Sequence, residues 1–119
     1  MTTAAGTGKW LAPEVISGRK DYDQASDIFA FGVVLSELDT HAVPYDDIRT
    51  DDDHRLADVA VLQRVAAGEL LPTFLSSCPD AILSLARQCL VFEPQDRLTA
   101  VEVTYALRKY MASFSSNSM

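Results

Sequence analysis

Residues 26–38, SDIFAFGVVLSEL, constrain this chain more than any other segment. Ile28, Phe29, Phe31, Val33, Val34, Leu35 and Leu38 surround a helical axis rather than striping one side of it. A helix apolar on all sides is a buried helix. Its β-branched and aromatic residues leave a strand open on propensity alone, but the length of the run favours the helix. Gly32 in its middle is costly there, and close packing of another backbone would account for it. The chain therefore reads as a domain wrapped around one central helix.

The flanking segments supply the wrapping. Pro13 suits the first position of a short helix, Glu14 favours its positive end, and Gly18 can close it. Residues 18–24 are polar and turn-like, and 39–55 are polar, holding Asp46, Asp47, Asp51, Asp52 and Asp53. Residues 56–67 read as a helix with Val59, Leu62 and Ala66 on one face and Gly68 as its stop. Asp80 can cap a further helix whose Ile82, Leu85, Ala86, Cys89 and Leu90 form an amphipathic stripe that Pro94 ends. In the last helix Thr99 and Glu102 form a capping box, Leu98 can staple onto Val103, and Ala106, Leu107, Tyr110 and Met111 continue the stripe. Residues 112–119 read as a disordered tail. The fold class expected is all-α, with four clear helices, one short one and no convincing strand.

Composition excludes several classes. At 119 residues the chain suits one domain, and 48% apolar with 23% charged residues is a globular balance. Ten basic against seventeen acidic residues give a net charge of −7, which argues against nucleic acid or anionic lipid as the main partner. No apolar run approaches a membrane span, and the start lacks the layout of a signal peptide, so no membrane contact and a cytoplasmic setting are expected. Cys78 and Cys89 then read as reduced thiols.

Familiar chemical signatures fail one by one. Gly6-Thr7-Gly8-Lys9 lacks the earlier glycine and the following Ser or Thr of a phosphate-binding loop. The aspartates of residues 46–53 lack the alternation, glycine and closing glutamate of a calcium loop, and read as a solvated acidic surface. His41 and His54 have no partnered ligands, so no metal site is expected. No serine sits in a nucleophile pattern.

What remains is an ordered series: Gly6-Thr7, then Trp10-Leu11-Ala12-Pro13-Glu14, then Ser26-Asp27-Ile28-Phe29-Ala30-Phe31-Gly32, Pro44-Tyr45, Cys89-Leu90 and Pro94-Gln95-Asp96-Arg97-Leu98-Thr99. In this order and spacing it closely resembles the C-terminal lobe of eukaryotic protein kinases, with A-P-E one of the kinase signatures. The wording W-x-A-P-E and S-D-x-F-x-F-G-V-V-L is similar to the tyrosine-kinase-like group, whereas Gly-Thr before it resembles the substrate loop of Ser/Thr kinases. Two packing positions depart from the pattern: Ser36 stands where Trp is common, and Leu98 where Pro is usual.

The resemblance implies a partial kinase domain over residues 1–111 and assigns roles. Gly6, Thr7, Trp10, Ala12 and Pro13 would belong to the substrate-positioning loop. Glu14 and Arg97 would form a buried ion pair. Asp27 would accept backbone N–H bonds from a catalytic loop, and Thr2 and Thr3 would be candidate phosphorylation sites. Phosphoryl transfer also needs a Gly-rich loop, a lysine–glutamate pair, a catalytic aspartate and metal-binding Asp and Asn. H-R-D, D-F-G and G-x-G-x-x-G do not occur in these 119 residues. No catalytic residue and no cofactor are therefore expected in this chain, with ATP and Mg²⁺ belonging to a parent kinase. The expected partners are the missing kinase lobe and a protein substrate or regulatory protein. The competing expectation is a standalone helical interaction module, or a pseudokinase-like decoy, that keeps the docking surface.

Overall fold

The computed structural model describes residues 8–117, and Thr2, Thr3, Gly6 and Thr7, to which the resemblance assigned roles, lie outside them. A 3-10 turn, Gly8–Trp10, leads into the short helix α1 (Pro13–Ile16). Then follow α2 (Gln24–Thr40), α3 (Asp58–Ala66), α4 (Asp80–Cys89), a second 3-10 turn (Pro94–Asp96) and α5 (Ala100–Asn117). The described residues hold no strand, only an isolated bridge between Arg49 and Arg55.

Local chemistry sets the ends of these helices. α2 starts two residues before Ser26 because Asp23 caps it, its carboxylate accepting from the Ser26 N–H at 3.0 Å. That aspartate was missed as a cap. Its carboxyl is held down to about 2, first by Lys20 and then by the Ser26 N–H. Gly18 and Gly68 close α1 and α3 at φ of 74° and 77°, the left-handed region that glycine enters without strain. Thr99 and Glu102 form the expected box: the Thr99 N–H donates to Glu102 Oε1 at 2.8 Å and the Glu102 N–H to Thr99 Oγ1 at 3.2 Å.

α2 is the axis of two cores. On one side Phe29 and Val33 pack with Ala12, Tyr45, Val61, Val65 and Leu90. On the other, Ile28 and Leu35 pack with Leu85, Ala86, Cys89 and Val103. Gly32 sits where they meet. A Cβ there would lie 2.8 Å from Leu90 Cγ and 3.1 Å from Cys89 Cβ, so the close approach comes from side chains at the end of α4 rather than from a backbone.

Four expectations need correction. α2 is not covered all round: Asp27 and Leu38 are exposed, and Ala30, Phe31 and Val34 between them only half-buried. These positions follow helical spacing along one flank, where Phe31 packs partly against the second core and Leu38 stands exposed. In α3 the buried face is Val61 and Val65, and Val59 is 68% exposed, because α3 meets the first core one residue position round from the face expected. Met111 in α5 is likewise exposed. Finally, α5 runs to Asn117 through the segment expected to be a disordered tail. The edge-on contact of Tyr110 with Phe114, centroids 4.7 Å apart, and the Ser113 hydroxyl donating to the Tyr110 carbonyl extend it.

Cys78 and Cys89 are free and buried. Burial pushes the Cys89 thiol up to about 11, which leaves it protonated and inert at neutral pH. No helix of the described residues is long and apolar enough to cross a membrane.

Candidate functional site

Two structures meet at α1: a buried joint beneath it and a clamped loop before it. The joint is Glu14 with Arg97, residues 83 positions apart in sequence. Pro13 opens α1 and points Glu14 into the protein, where it is 1% exposed. Arg97 follows the turn Pro94–Asp96 in extended backbone, which turns its side chain back beneath α1. Nη1 donates to Glu14 Oε2 and Nη2 to Oε1, each at 2.7 Å, the two-pronged fit of guanidinium on carboxylate.

The remaining donors are also spent. Nη1 reaches the Ala25 carbonyl at 2.9 Å, Nη2 that of Phe92 at 3.0 Å, and Nε that of Val91 at 2.8 Å. All five guanidinium N–H groups therefore have acceptors, the condition under which a buried arginine is tolerable. The Phe29 ring lies 5.0 Å beneath the guanidinium carbon. Ser26 Oγ adds a bond to Glu14 Oε2 at 2.9 Å. Burial by itself would raise the Glu14 carboxyl, but bonds from Arg97, its own backbone N–H and Ser26 outweigh that and hold it below the ordinary range. One carboxylate and one guanidinium thus fasten α1, the head of α2 and the approach to α5 at a single point.

The loop before α1 is held on three sides. Trp10 Nε1 donates to Glu37 Oε1 on α2 at 3.2 Å. Lys9 is 8% exposed, with Nζ 3.3 Å from Asp46 and 3.6 Å from Asp58. Arg55 reaches the same two carboxylates at 3.2 and 3.6 Å. Two cations and two carboxylates therefore balance, although at 3.6 Å Asp58 Oδ1 is neutralised without being hydrogen-bonded. Gly8 packs against Leu62 of α3, so a Cβ would sit 3.1 Å from Leu62 Cδ1. Ala12 and Pro13 are buried behind the loop, and Trp10 is half-buried at its surface.

The structure thus brings together Trp10, Ala12, Pro13, Glu14 and Arg97. It sets Asp27 apart from them, exposed in the first turn of α2, where its side chain makes no hydrogen bond among the described residues. Sequence reasoning missed Lys9, Ser26, Glu37 and Asp58. It also took Asp46 and Asp47 for a solvated surface, whereas Asp46 pairs with Lys9 and Arg55, and Asp47 accepts from Thr73 Oγ1 at 2.6 Å. Only the position of Lys9 beside the W-L-A-P-E run could have flagged it. Among the described residues no three His, Cys, Asp or Glu side chains converge on one point that could hold a metal ion.

A buried carboxylate–guanidinium joint under a proline-led turn, beside a central helix, is the arrangement implied by the ordered motifs. The protein kinase domain model matches residues 1–107. This chain belongs to the protein kinase family.

Curated kinases place it further. A probable serine/threonine-protein kinase of Dictyostelium discoideum, kinX, is 31% identical over 115 residues, covering 97% of this chain and 10% of that protein. Mitogen-activated protein kinase kinase kinase 12 of Rattus norvegicus is 39% identical over 93 residues, covering 78% of this chain and 10% of its own length. A tyrosine-protein kinase-like protein of Drosophila ananassae, otk, is 35% identical over 107 residues, 88% of this chain and 10% of that protein. The chain therefore spans about a tenth of the length of each of these relatives. Its all-helical fold is that of a helical kinase segment.

Proposed function

We propose that this chain is the substrate-side helical part of a Ser/Thr protein kinase domain and that it transfers no phosphate by itself. The observation that carries the reading is the Glu14–Arg97 joint, which fastens α1 to the head of α2, with the turn before it tied separately to α2 through Trp10 and Glu37. A surface held this firmly can present a peptide backbone for reaction, and positioning is most of what phosphoryl transfer asks of a protein. Thr7, Gly6 and Trp10 would form the part that faces the acceptor hydroxyl. ATP and Mg²⁺ would be held by the rest of the kinase domain, because the residues that bind them are absent from this sequence. The parent would act on protein serine or threonine in cytoplasmic signalling, with Thr2 and Thr3 as phosphorylation sites of the activation segment.

The half-open flank of α2 supports the same reading. Ala30, Phe31, Val34 and Leu38 form an apolar stripe with Asp27 at its head, and the missing catalytic loop and lobe would lie along it. Asp27 would then accept the backbone N–H groups of that loop, a use for a carboxylate that in this chain meets water.

A chimera tests the proposal. The corresponding segment of a complete Ser/Thr kinase is replaced by residues 1–111, and phosphate transfer to matched Ser, Thr and Tyr peptides is measured beside the chain alone. Transfer to Ser and Thr by the chimera and none by the chain is the expected result. Transfer by the chain alone, or a chimera specific for Tyr, would overturn it.

A further inference from the structure

A recess of about 170 Å³ opens between the C-terminal half of α2 and the loop that follows it, away from Glu14 and Arg97. Its apolar walls include Ala42, Val43, Pro44 and Leu75. Val43 and Leu75 are 46% and 47% exposed, so the space is reachable from solvent. Cavities of roughly 150 Å³ with apolar linings take up a single aromatic ring.

Three of the four hydroxyls in the wall have a shared property: their hydrogens are already used. Ser36 Oγ donates to the Thr73 carbonyl at 2.6 Å, Thr40 Oγ1 to the Ser36 carbonyl at 2.9 Å, and Thr73 Oγ1 to Asp47 Oδ2 at 2.6 Å. Tyr45 also lines the space; its hydroxyl has no hydrogen-bond partner, so its donor is unspent, but it is closed off from solvent. What these three hydroxyls and the Asp47 carboxylate still offer an incoming molecule is lone pairs. The recess is thus apolar, ring-sized, and, the enclosed Tyr45 hydroxyl apart, edged by acceptors whose own donors are committed.

We infer that this recess is a binding site for a flat aromatic ring carrying an N–H donor on its edge, of which indole is the simplest example. The N–H of indole donates and cannot accept, which matches a wall of acceptors. A ring of equal shape with an oxygen in place of the N–H would bring a second acceptor to the same wall and bind less well. The site does not depend on phosphoryl transfer, and it stands or falls separately from the kinase reading.

The test is an NMR titration of the whole chain with indole, benzofuran and N-acetyltryptophan amide, following the amides of Thr40, Val43 and Leu75. Saturable shifts at these positions are expected with indole, at least about fivefold tighter than with benzofuran, the worth of one net hydrogen bond. Binding of indole alone assigns the recess to a free ring. Binding of the tryptophan amide as well extends the assignment to a ring carried on a peptide. Ser36→Trp fills the space from within and should abolish indole binding. If that variant does not fold, Ala42→Trp at the exposed lip serves the same purpose. No saturable shift with indole, equal affinity for benzofuran, or binding undiminished in the folded variants would overturn the proposal.

Discussion

The two sides of α2 are built to different standards of completeness. Toward α1, every donor of Arg97 has an acceptor, Glu14 is enclosed, and Phe29 closes the joint from below. Toward the opposite flank, Leu38 is 65% exposed and Phe31 and Val34 are half-covered. The same apolar segment therefore makes a finished core on one side and an unfinished surface on the other. The finished side is what the chain can make from its own residues. The unfinished side has the composition of a core without the neighbour that would make it one.

Breaking the finished side should have the largest effect. Arg97→Leu leaves a carboxylate buried without its partner, and urea unfolding should show a loss of about 3–5 kcal/mol. If the loss is under about 1 kcal/mol, the joint does not hold the elements together. Acid sharpens the same point by removing the partner reversibly. Because the folded Glu14 carboxyl lies below its ordinary value of 4.5, its contribution is fully present above that pH and is lost as pH falls through the folded value. The unfolding midpoint should therefore be steady near neutrality and fall below pH 4.5, and this acid-sensitive part should shrink in Glu14→Gln.

A smaller effect is expected where the two cores meet. Gly32→Ala gains helix propensity of about 1 kcal/mol but forces Cβ against buried Leu90, an overpacking cost of about 1–3 kcal/mol. The balance is a destabilisation of about 1 kcal/mol, read from the shift in denaturant midpoint. A stabilised variant would mean that Leu90 moves aside freely.

How much of this could be read from the sequence follows from the kind of signal each part leaves. Helix periodicity and terminal punctuation located the end of α3 and the starts or bodies of α4 and α5, because Gly68, the stripe from Ile82 to Leu90 and the Thr99–Glu102 box act over a few residues. The meeting of Glu14 with Arg97 spans most of the chain, and no periodicity announces it; it was expected only because the surrounding motifs resemble a kinase. The clamp of Lys9, Asp46, Asp58 and Arg55 was invisible for the same reason, since four charges scattered over a turn, a loop and a helix start look like solvated surface until tertiary structure brings them together. The open flank of α2 was misread because an all-apolar helix predicts burial without saying which neighbours supply it. α5 was ended too early because the Tyr110–Phe114 contact lies in a segment whose serines read as loop.

The difference between the two sides of α2 is tested most directly by light scattering of the whole chain and of Leu38→Gln across a concentration series at neutral pH. The substitution is on the surface and should change folding stability by less than about 0.5 kcal/mol. If the flank is an unfinished core, the mass of the unaltered chain rises above that of a monomer with concentration, and Leu38→Gln lowers the rise. A chain that stays monomeric throughout and melts cooperatively, with Leu38→Gln indistinguishable from it, would contradict the account and mark this surface as complete without a neighbour.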